Sequence, residues 1–324
     1  MIILTGGAGF IGSNILRRLN SLGLTDILIV DNMKSADKYR NLVDKSFADY
    51  VPKQDFLEML NAGKFDGPIE GIFHQGACTD TMEYDGDYML RNNFDYSKAI
   101  LHYALDRKIP LVYASSAAVY GHIEIAIEDE GTEAPLNIYG YSKFIFDQYV
   151  RRVTPGAAST VVGLRYFNVY GNGEAHKGRM SSMVYQFYNQ VRNSGVAKLF
   201  GAVGNIGAGE QTRDFVYVED LVNMNLHFWQ ARPPVQTIVN AGTGTNRSWN
   251  DLANAVIAEV GSGHIEYIPF PESLKDKYQF ATRADVSKLR GLGYEREFHT
   301  LEQGVHAYLS TLESETAKFR SGVA

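Results

Sequence analysis

The sequence predicts an α/β fold: a doubly wound parallel sheet with helices on both faces, joined to a smaller, discontinuous α/β domain. Three observations carry this expectation. Strand-like and helix-like patterns alternate through residues 1–168, as they do along a parallel sheet. The chain opens on an apolar run that breaks into glycines and then into a helical pattern. Beyond Val169 the alternation weakens, yet Thr237-Ile238-Val239-Asn240-Ala241-Gly242 reads as a late strand returning to the sheet, so the second domain is interrupted.

The first element is Ile2-Ile3-Leu4-Thr5, followed by Gly6, Gly9 and Gly12 and by the helical spacing of Ile15, Leu16 and Leu19. Three glycines at this spacing between a strand and a helix form the fingerprint of a Rossmann-type dinucleotide site. Gly6 allows the turn, Gly9 lets the backbone approach a pyrophosphate, and Gly12 lets helix and strand pack closely. The phosphates then rest on the positive end of the helix. A second strand, Ile27-Leu28-Ile29-Val30-Asp31, ends in an acid about 20 residues beyond Gly12, where a ribose-binding carboxylate belongs. The polar loop after it carries Lys34, Lys38 and Arg40. Asp31 repels a 2′-phosphate, whereas Lys38, Arg40 and Lys53 attract one, so the residues alone leave NAD and NADP evenly matched.

Ile69 to Ala77 reads as a short strand running into a small-residue turn at Gly76-Ala77. Asn92-Asn93 precedes an amphipathic stretch, Tyr96 to Leu105, where an asparagine caps a helix or binds neighbouring backbone. Leu111 to Ser116 is a strand ending in a hydroxyl pair. Carboxyl ends of parallel strands face the ligand crevice, which places Ser116 to touch a reacting hydroxyl. Tyr139 and Lys143 stand four apart and share one face of a helix. A nearby ammonium favours a phenolate, lowering the tyrosine from its usual value of about 10 and making it a general base. Leu301 to Leu312 has helical apolar spacing, and the polar tail Glu313 to Ala324 is expected to fray.

The bulk properties narrow the function classes. A net charge of −6 over 324 residues argues against a nucleic-acid partner. The single cysteine, Cys78, fits a reducing compartment. The apolar start lacks the basic flank and length of a signal peptide, and no stretch matches a membrane span. The expectation is a cytoplasmic protein with no membrane partner. The histidines do not fall at metal-ligand spacing, so no metal is expected.

Thr5 to Gly12, Ser116 with Val119-Tyr120-Gly121, and Tyr139 to Lys143 together resemble the extended short-chain dehydrogenase/reductase superfamily. Arg213 to Asp220 resembles its nucleotide-sugar branch. Phe73-His74-Gln75-Gly76-Ala77-Cys78, Tyr141 to Phe144, Arg165 to Gly171, His176-Lys177-Gly178 with Met180, and Ile265 to Pro271 narrow the likeness. Across essentially the whole chain, the sequence is similar to the ADP-glyceromanno-heptose 6-epimerase family. Its members are bacterial enzymes that make the heptose precursor of the lipopolysaccharide inner core, and they hold NADP tightly.

The resemblance implies an NADP site of Phe10, Ile11, Asp31, Asn32, Lys38, Lys53, the Gln75, Gly76, Ala77, Cys78 and Thr79 segment, Asn92, Lys143, Val169 and Lys177. It implies Tyr139 and Lys177 as acid/base groups on opposite faces of the sugar, assisted by Ser116. Asn168, Arg179, Gln186, Phe200, Gly201, Arg213 and Tyr278, with Ser116, would contact an ADP-heptose substrate. The cofactor domain would comprise 1–168, 213–242 and about 285–299, and the substrate domain 169–212, 243–284 and about 300–324. A homo-oligomer is implied, with a pentamer as the assembly.

Four features depart from the family pattern. Gln75 stands where a glutamate is expected, Arg179 where a small residue is usual and Gln186 where a histidine occurs, and Gly201 to Gln211 is a longer glycine-rich stretch. Competing readings are weighed by the same residues. A UDP-hexose 4-epimerase shares the cofactor site but leaves His176-Lys177-Gly178 unexplained. A 4,6-dehydratase carries an Asp-Glu pair where this chain has Ala117-Ala118. A non-catalytic NADP-binding sensor has no need of Ser116, Tyr139 and Lys143 together, and a plain reductase would consume added NADPH.

Overall fold

The computed structural model describes residues 1–65, 67–272 and 278–321. The first half runs β1 (Ile2–Thr5), α1 (Phe10–Ser21), β2 (Ile27–Asp31), β3 (Asp49–Pro52), α2 (Lys53–Asn61), β4 (Gly71–His74), α3 (Gly86–Leu90), α4 (Tyr96–Asp106) and β5 (Leu111–Ser116). There follow β6 (Ile125–Ala126), α5 (Ile138–Val153), β7 (Val161–Tyr166), β8 (Asn168–Tyr170), α6 (Met183–Ser194), β9 (Val196–Phe200) and β10 (Thr212–Tyr217). The chain continues with α7 (Val218–Ala231), β11 (Gln236–Ala241), β12 (Asn246–Ser248), α8 (Trp249–Val260), β13 (His264–Ile268), β14 (Arg283–Ala284), α9 (Ser287–Gly291) and α10 (Leu301–Ser321).

Seven strands form one sheet in the order β3-β2-β1-β4-β5-β7-β11, and every pairing in it is parallel. The order reverses beside β1, so the crevice between the ends of β1 and β4 is the topological switch point where such sheets bind ligands. Strands covered on both faces must be apolar almost throughout, and Ile2, Ile3 and Leu4 are all buried. Their alternation splits the core. Ile2 and Leu4 join Ile15, Leu16 and Leu19 of α1 on one face; Ile3 joins Phe56 of α2, Ile100 of α4 and Phe146 of α5 on the other. This is the doubly wound Rossmann-type sheet expected from the sequence.

The ancillary structure is built from smaller sheets. β10 pairs parallel to β8 and antiparallel to β12; β13 pairs with β9, and β14 with β6. Val184, Phe187 and Val191 of α6 and Leu252, Ala253 and Val256 of α8 pack with Leu199 of β9 into a third core. Phe10 at the start of α1 belongs to that same core, so the substructure sits against the switch point.

One local expectation is corrected. Asn92-Asn93 caps no helix: α3 and α4 are joined by a single π turn, Arg91–Asp95, and both asparagines lie inside it. In the tail, α10 continues beyond Glu313 to Ser321. Glu313 pairs with Arg192 of α6 at 3.8 Å, and glutamate, alanine and lysine after it are good helix formers. Residues 322–324 lie outside the described residues. Among the described residues no helix is long and apolar enough to cross a membrane.

Candidate active site

The site begins at the turn after β1. Gly6 has φ +69°, and a Cβ on it would lie 2.6 Å from the Gly76 nitrogen, so the loops leaving β1 and β4 touch through backbone. A Cβ on Gly12 would run into the carbonyl oxygen of Gly6. Gly9 is the N-cap of α1, which has no side-chain cap and no acid in its first turn. Its N-terminal N–H groups and positive end are thus left for an anion, and the backbone cradle fits a dinucleotide diphosphate.

At the end of β2 the buried Asp31 carboxylate accepts the N–H of Ala8 at 2.9 Å and of Asn32 at 2.7 Å. The Lys38 ammonium donates to Asp31 at 2.5 Å and to the Asn32 carbonyl at 2.8 Å. Asp31 is therefore a paired charge. Lys53 donates to the Asn92 side chain and lies 5.3 Å from the Tyr96 ring centre. Burial lowers the Lys53 pKa, and the repulsion of Lys34 and Lys38 adds to that. Several ammonium groups thus surround one carboxylate.

Beyond β4, Gln75 accepts from the Tyr166 hydroxyl at 2.7 Å and donates to Asn225 at 3.1 Å. The Cys78 backbone is gripped by Asn93, which accepts its N–H at 2.8 Å and donates to its carbonyl at 2.9 Å. Of the two sequence possibilities for the Asn92-Asn93 pair, binding to neighbouring backbone is the one that forms.

These elements open into a cavity of about 330 Å³. Phe10, Ile11, Gln75, Ala77 and Thr79 line it, together with Ser116. Tyr139 and Lys143 enter from α5, Asn168 and Val169 from β8, and Lys177 from the loop before α6. Ser116 and Tyr139 face the same cavity, and the Ser116 hydroxyl pulls the Tyr139 phenol down. Lys143 is buried, donates to the Ala114 carbonyl at 2.7 Å, and is brought down to about 8 by burial, with Asp147 opposing.

The expected effect of Lys143 on Tyr139 is corrected here. Burial pushes the Tyr139 phenol up, and the opposing pull comes from Ser116. Helical spacing brings Lys143 to the same face, but its nitrogen turns to the Ala114 carbonyl. Lys177 sits on a 3-10 turn, Ala175–Met180, broken at Gly178 with φ +53°. Its ammonium lies 5.4 Å from the Phe10 ring centre, and burial lowers its pKa while Glu174 opposes.

Several expected substrate contacts stand back from this cavity. Arg179 is 72% exposed and pairs with Asp80 at 3.0 Å. Gln186 braces the loop by donating to the carbonyls of Ser181 at 2.9 Å and Arg179 at 3.3 Å. Phe200 packs on Phe270 and Tyr278 with ring centres 5.1 and 6.2 Å apart, and the Gly201 N–H donates to Ile268 at 2.7 Å. Arg213 is buried with its guanidinium 4.9 Å from the Tyr278 ring centre and 5.6 Å from that of Trp249. Trp249 itself lines the cavity, so this aromatic–arginine group adjoins it.

Tyr166, Phe215, Trp249 and Leu252 also line the cavity and are absent from the sequence-derived set. Tyr166 stands inside the Arg165 to Gly171 run and was recoverable from it. Phe215 likewise stands inside the Arg213 to Asp220 run, whereas Trp249 and Leu252 belong to no motif of the sequence. Among the described residues no cluster of metal-ligating side chains occurs.

Comparison with known proteins agrees with this geometry. The model of the NAD dependent epimerase/dehydratase family matches residues 2–242. The structure is similar to ADP-L-glycero-D-manno-heptose-6-epimerase of Helicobacter pylori, with 29% identity, TM-score 0.83 and coverage of 97% of this chain and 96% of that one. It is also similar to UDP-glucose 4-epimerase of Thermotoga maritima with UDP-glucose, with 25% identity, TM-score 0.78 and coverage of 97% and 99%. UDP-glucose 4-epimerase of Thermus thermophilus, in complex with NAD, shares the fold at 24% identity and TM-score 0.76, covering 96% and 98%. Because the family match takes in the glycine turn, the Ser116 strand and the Tyr139–Lys143 helix alike, this chain belongs to the NAD dependent epimerase/dehydratase family.

Proposed function

We propose that the chain is an ADP-glyceromanno-heptose 6-epimerase with retained NADP. It interconverts ADP-D-glycero-D-manno-heptose and ADP-L-glycero-D-manno-heptose at C6, in supply of lipopolysaccharide inner-core heptose. The observation that carries this reading is that Lys177, on the His176-Lys177-Gly178 turn, and Tyr139, on α5, reach one cavity from different elements. The Helicobacter pylori heptose epimerase, similar over nearly the full length of both chains, supports the choice of substrate.

The C–H bond of an unactivated carbinol is not acidic, so direct proton abstraction is not a route to inversion. A bound nicotinamide supplies reversible hydride removal with no net redox change. Gly6, Gly9, Gly12 and the end of α1 would hold its diphosphate. Lys38 neutralises Asp31, and with Lys53 it leaves a net positive site for a 2′-phosphate, which favours NADP over NAD. Ser116 and Tyr139 hold the reacting hydroxyl, and Tyr139 is one of the two groups that exchange a proton with the substrate oxygen. When the ketone turns its other face, Lys177 is the group that exchanges a proton with the carbonyl oxygen. Arg213 and the Phe200–Tyr278 aromatic group bind the nucleotide end.

The test is incubation of the purified protein, without added cofactor, with ADP-D-glycero-D-manno-heptose, followed by proton NMR. Appearance of the L-glycero epimer supports the reading, including retention of cofactor. No conversion even after NADP is added overturns it, and conversion of UDP-glucose to UDP-galactose instead would identify a UDP-hexose 4-epimerase.

A further inference from the structure

We infer that Glu174 is a positioning residue for Lys177, fixing the turn that carries it and supplying its opposite charge. The inference rests on the reading of Lys177 as an acid/base group. Glu174 is fully buried, and the hydrogen bonds its carboxylate accepts come from the two ends of the Lys177 loop. One carboxylate oxygen accepts the Gly171 N–H at 3.2 Å and the Ser182 hydroxyl at 2.7 Å. The other accepts the Ser182 N–H. Gly171 follows β8 directly, and Ser182 is the N-cap of α6, where its oxygen also accepts from Tyr185. One side chain thus draws together the exit of one element and the entry of the next, and the loop between them must bulge into the cavity.

Lys177 lies one turn after Glu174, and its N–H donates to the Glu174 carbonyl at 2.9 Å. The pairing of charges is reciprocal: Lys177 is the charged side chain that acts on Glu174, and Glu174 the one that acts on Lys177. Burial pushes the Glu174 carboxyl up, and its donors, the Ser182 N–H and hydroxyl and the Gly171 N–H, favour the carboxylate against that rise. The other groups around Lys177 are the neutral Phe10 ring of α1, the neighbouring His176, which also faces Lys38 and Asp31, and Tyr139 and Lys143 of α5 in the shared cavity. Burying an ammonium without an opposite charge favours the free amine. Glu174 opposes this.

The test reads Lys177 directly and needs no substrate. The purified protein is labelled with acetic anhydride over a range of pH, and acetylation of Lys177 is quantified by peptide mass spectrometry in wild type, Glu174→Gln and Ser182→Ala. In Glu174→Gln, Lys177 is expected to acetylate about tenfold faster than wild type near neutral pH, the effect of losing one close opposite charge. Ser182→Ala keeps the charge and is expected to label at the wild-type rate, with kcat for epimerisation down about tenfold, KM and cofactor content unchanged. Equal labelling in Glu174→Gln and wild type overturns the inference. Should Glu174→Gln fail to fold, wild-type kcat in Ser182→Ala overturns it. Normal turnover in Lys177→Met overturns the reading of Lys177 itself, an outcome separate from either result for Glu174.

Discussion

Replacing Asp147 by alanine should damage this protein more than any other single change at the base of the site. Asp147 lies one turn beyond Lys143 on α5 and is fully buried. It accepts the Tyr113 hydroxyl at 3.0 Å, the Ser115 hydroxyl at 2.8 Å and the Arg165 Nε–H at 2.9 Å. Arg165, also fully buried, pairs in addition with Glu133 at 2.5 Å and lies 4.7 Å from the Tyr120 ring centre. One carboxylate therefore ties the helix of Tyr139 to β5, which carries Ser116, and to β7. Removing one member of a buried ion pair costs about 3–5 kcal/mol. Glu133 stays on Arg165, which places this term near the low end, about 3 kcal/mol. The Tyr113 and Ser115 hydroxyls lose a buried acceptor, worth at least about 1 kcal/mol each. These terms share one group and do not add in full, so the expected loss is about 4 kcal/mol. Urea unfolding followed by the fluorescence of Trp229 and Trp249, at matched cofactor load, measures it. A loss below about 1 kcal/mol would refute the argument that this network anchors the catalytic helix.

Three further outcomes are expected. Tyr139→Phe and Lys177→Met should each reduce epimerisation by at least about a hundredfold while cofactor content is unchanged, and near-normal turnover in either sinks the two-group scheme. Lys38→Ala exposes the Asp31 charge and removes a phosphate-binding ammonium, so NADP affinity should fall about tenfold or more while NAD affinity holds; equal losses by calorimetry contradict the assignment. His74 is buried between Thr5 at 2.6 Å and Ser97 at 2.8 Å, and burial lowers its pKa from 6.5 to about 3. Between those values the unfolded chain binds a proton that the folded chain refuses, so stability should fall as pH drops through that window. His74→Asn should flatten this part of the stability curve, and curves that stay parallel to wild type would count against it.

The parts of this molecule that were legible in the sequence are those whose cause is local. Ile2 to Gly12 reads correctly because a strand, a turn with positive φ and a helix start are set by residues within a few positions of one another. Asp31 and the Tyr139–Lys143 pair follow from strand ends and helical spacing. Spacing gives which face a side chain shares and not where its last atom goes. It placed Lys143 beside Tyr139 but left open that the Lys143 nitrogen turns to Ala114. Arg179, which the family resemblance set near the sugar, is instead largely exposed and paired with Asp80. Trp249 and Arg213 meet only because β12 pairs with β10 and delivers the start of α8 to the cavity, and no local pattern encodes that.

Gln75 shows how a residue that looks out of place in sequence is accounted for in three dimensions. As a departure from an expected glutamate it reads as a weakened site. In the fold its amide faces two different partners, Tyr166, which donates to its oxygen, and the Asn225 oxygen, which accepts from its nitrogen. Asn225 in turn donates to the Tyr166 hydroxyl at 3.0 Å and to the Leu221 carbonyl at 2.9 Å. A carboxylate has acceptors only and would oppose the Asn225 oxygen, whereas an amide satisfies both neighbours. The identity of residue 75 is thus set by Asn225 of α7, a residue far away in sequence. Burial pushes the Tyr166 phenol well above its ordinary value, and its hydrogen bonds to Asn225 and Gln75 oppose that rise. Tyr166 is thereby held in place by Gln75 and Asn225 as part of the cavity lining.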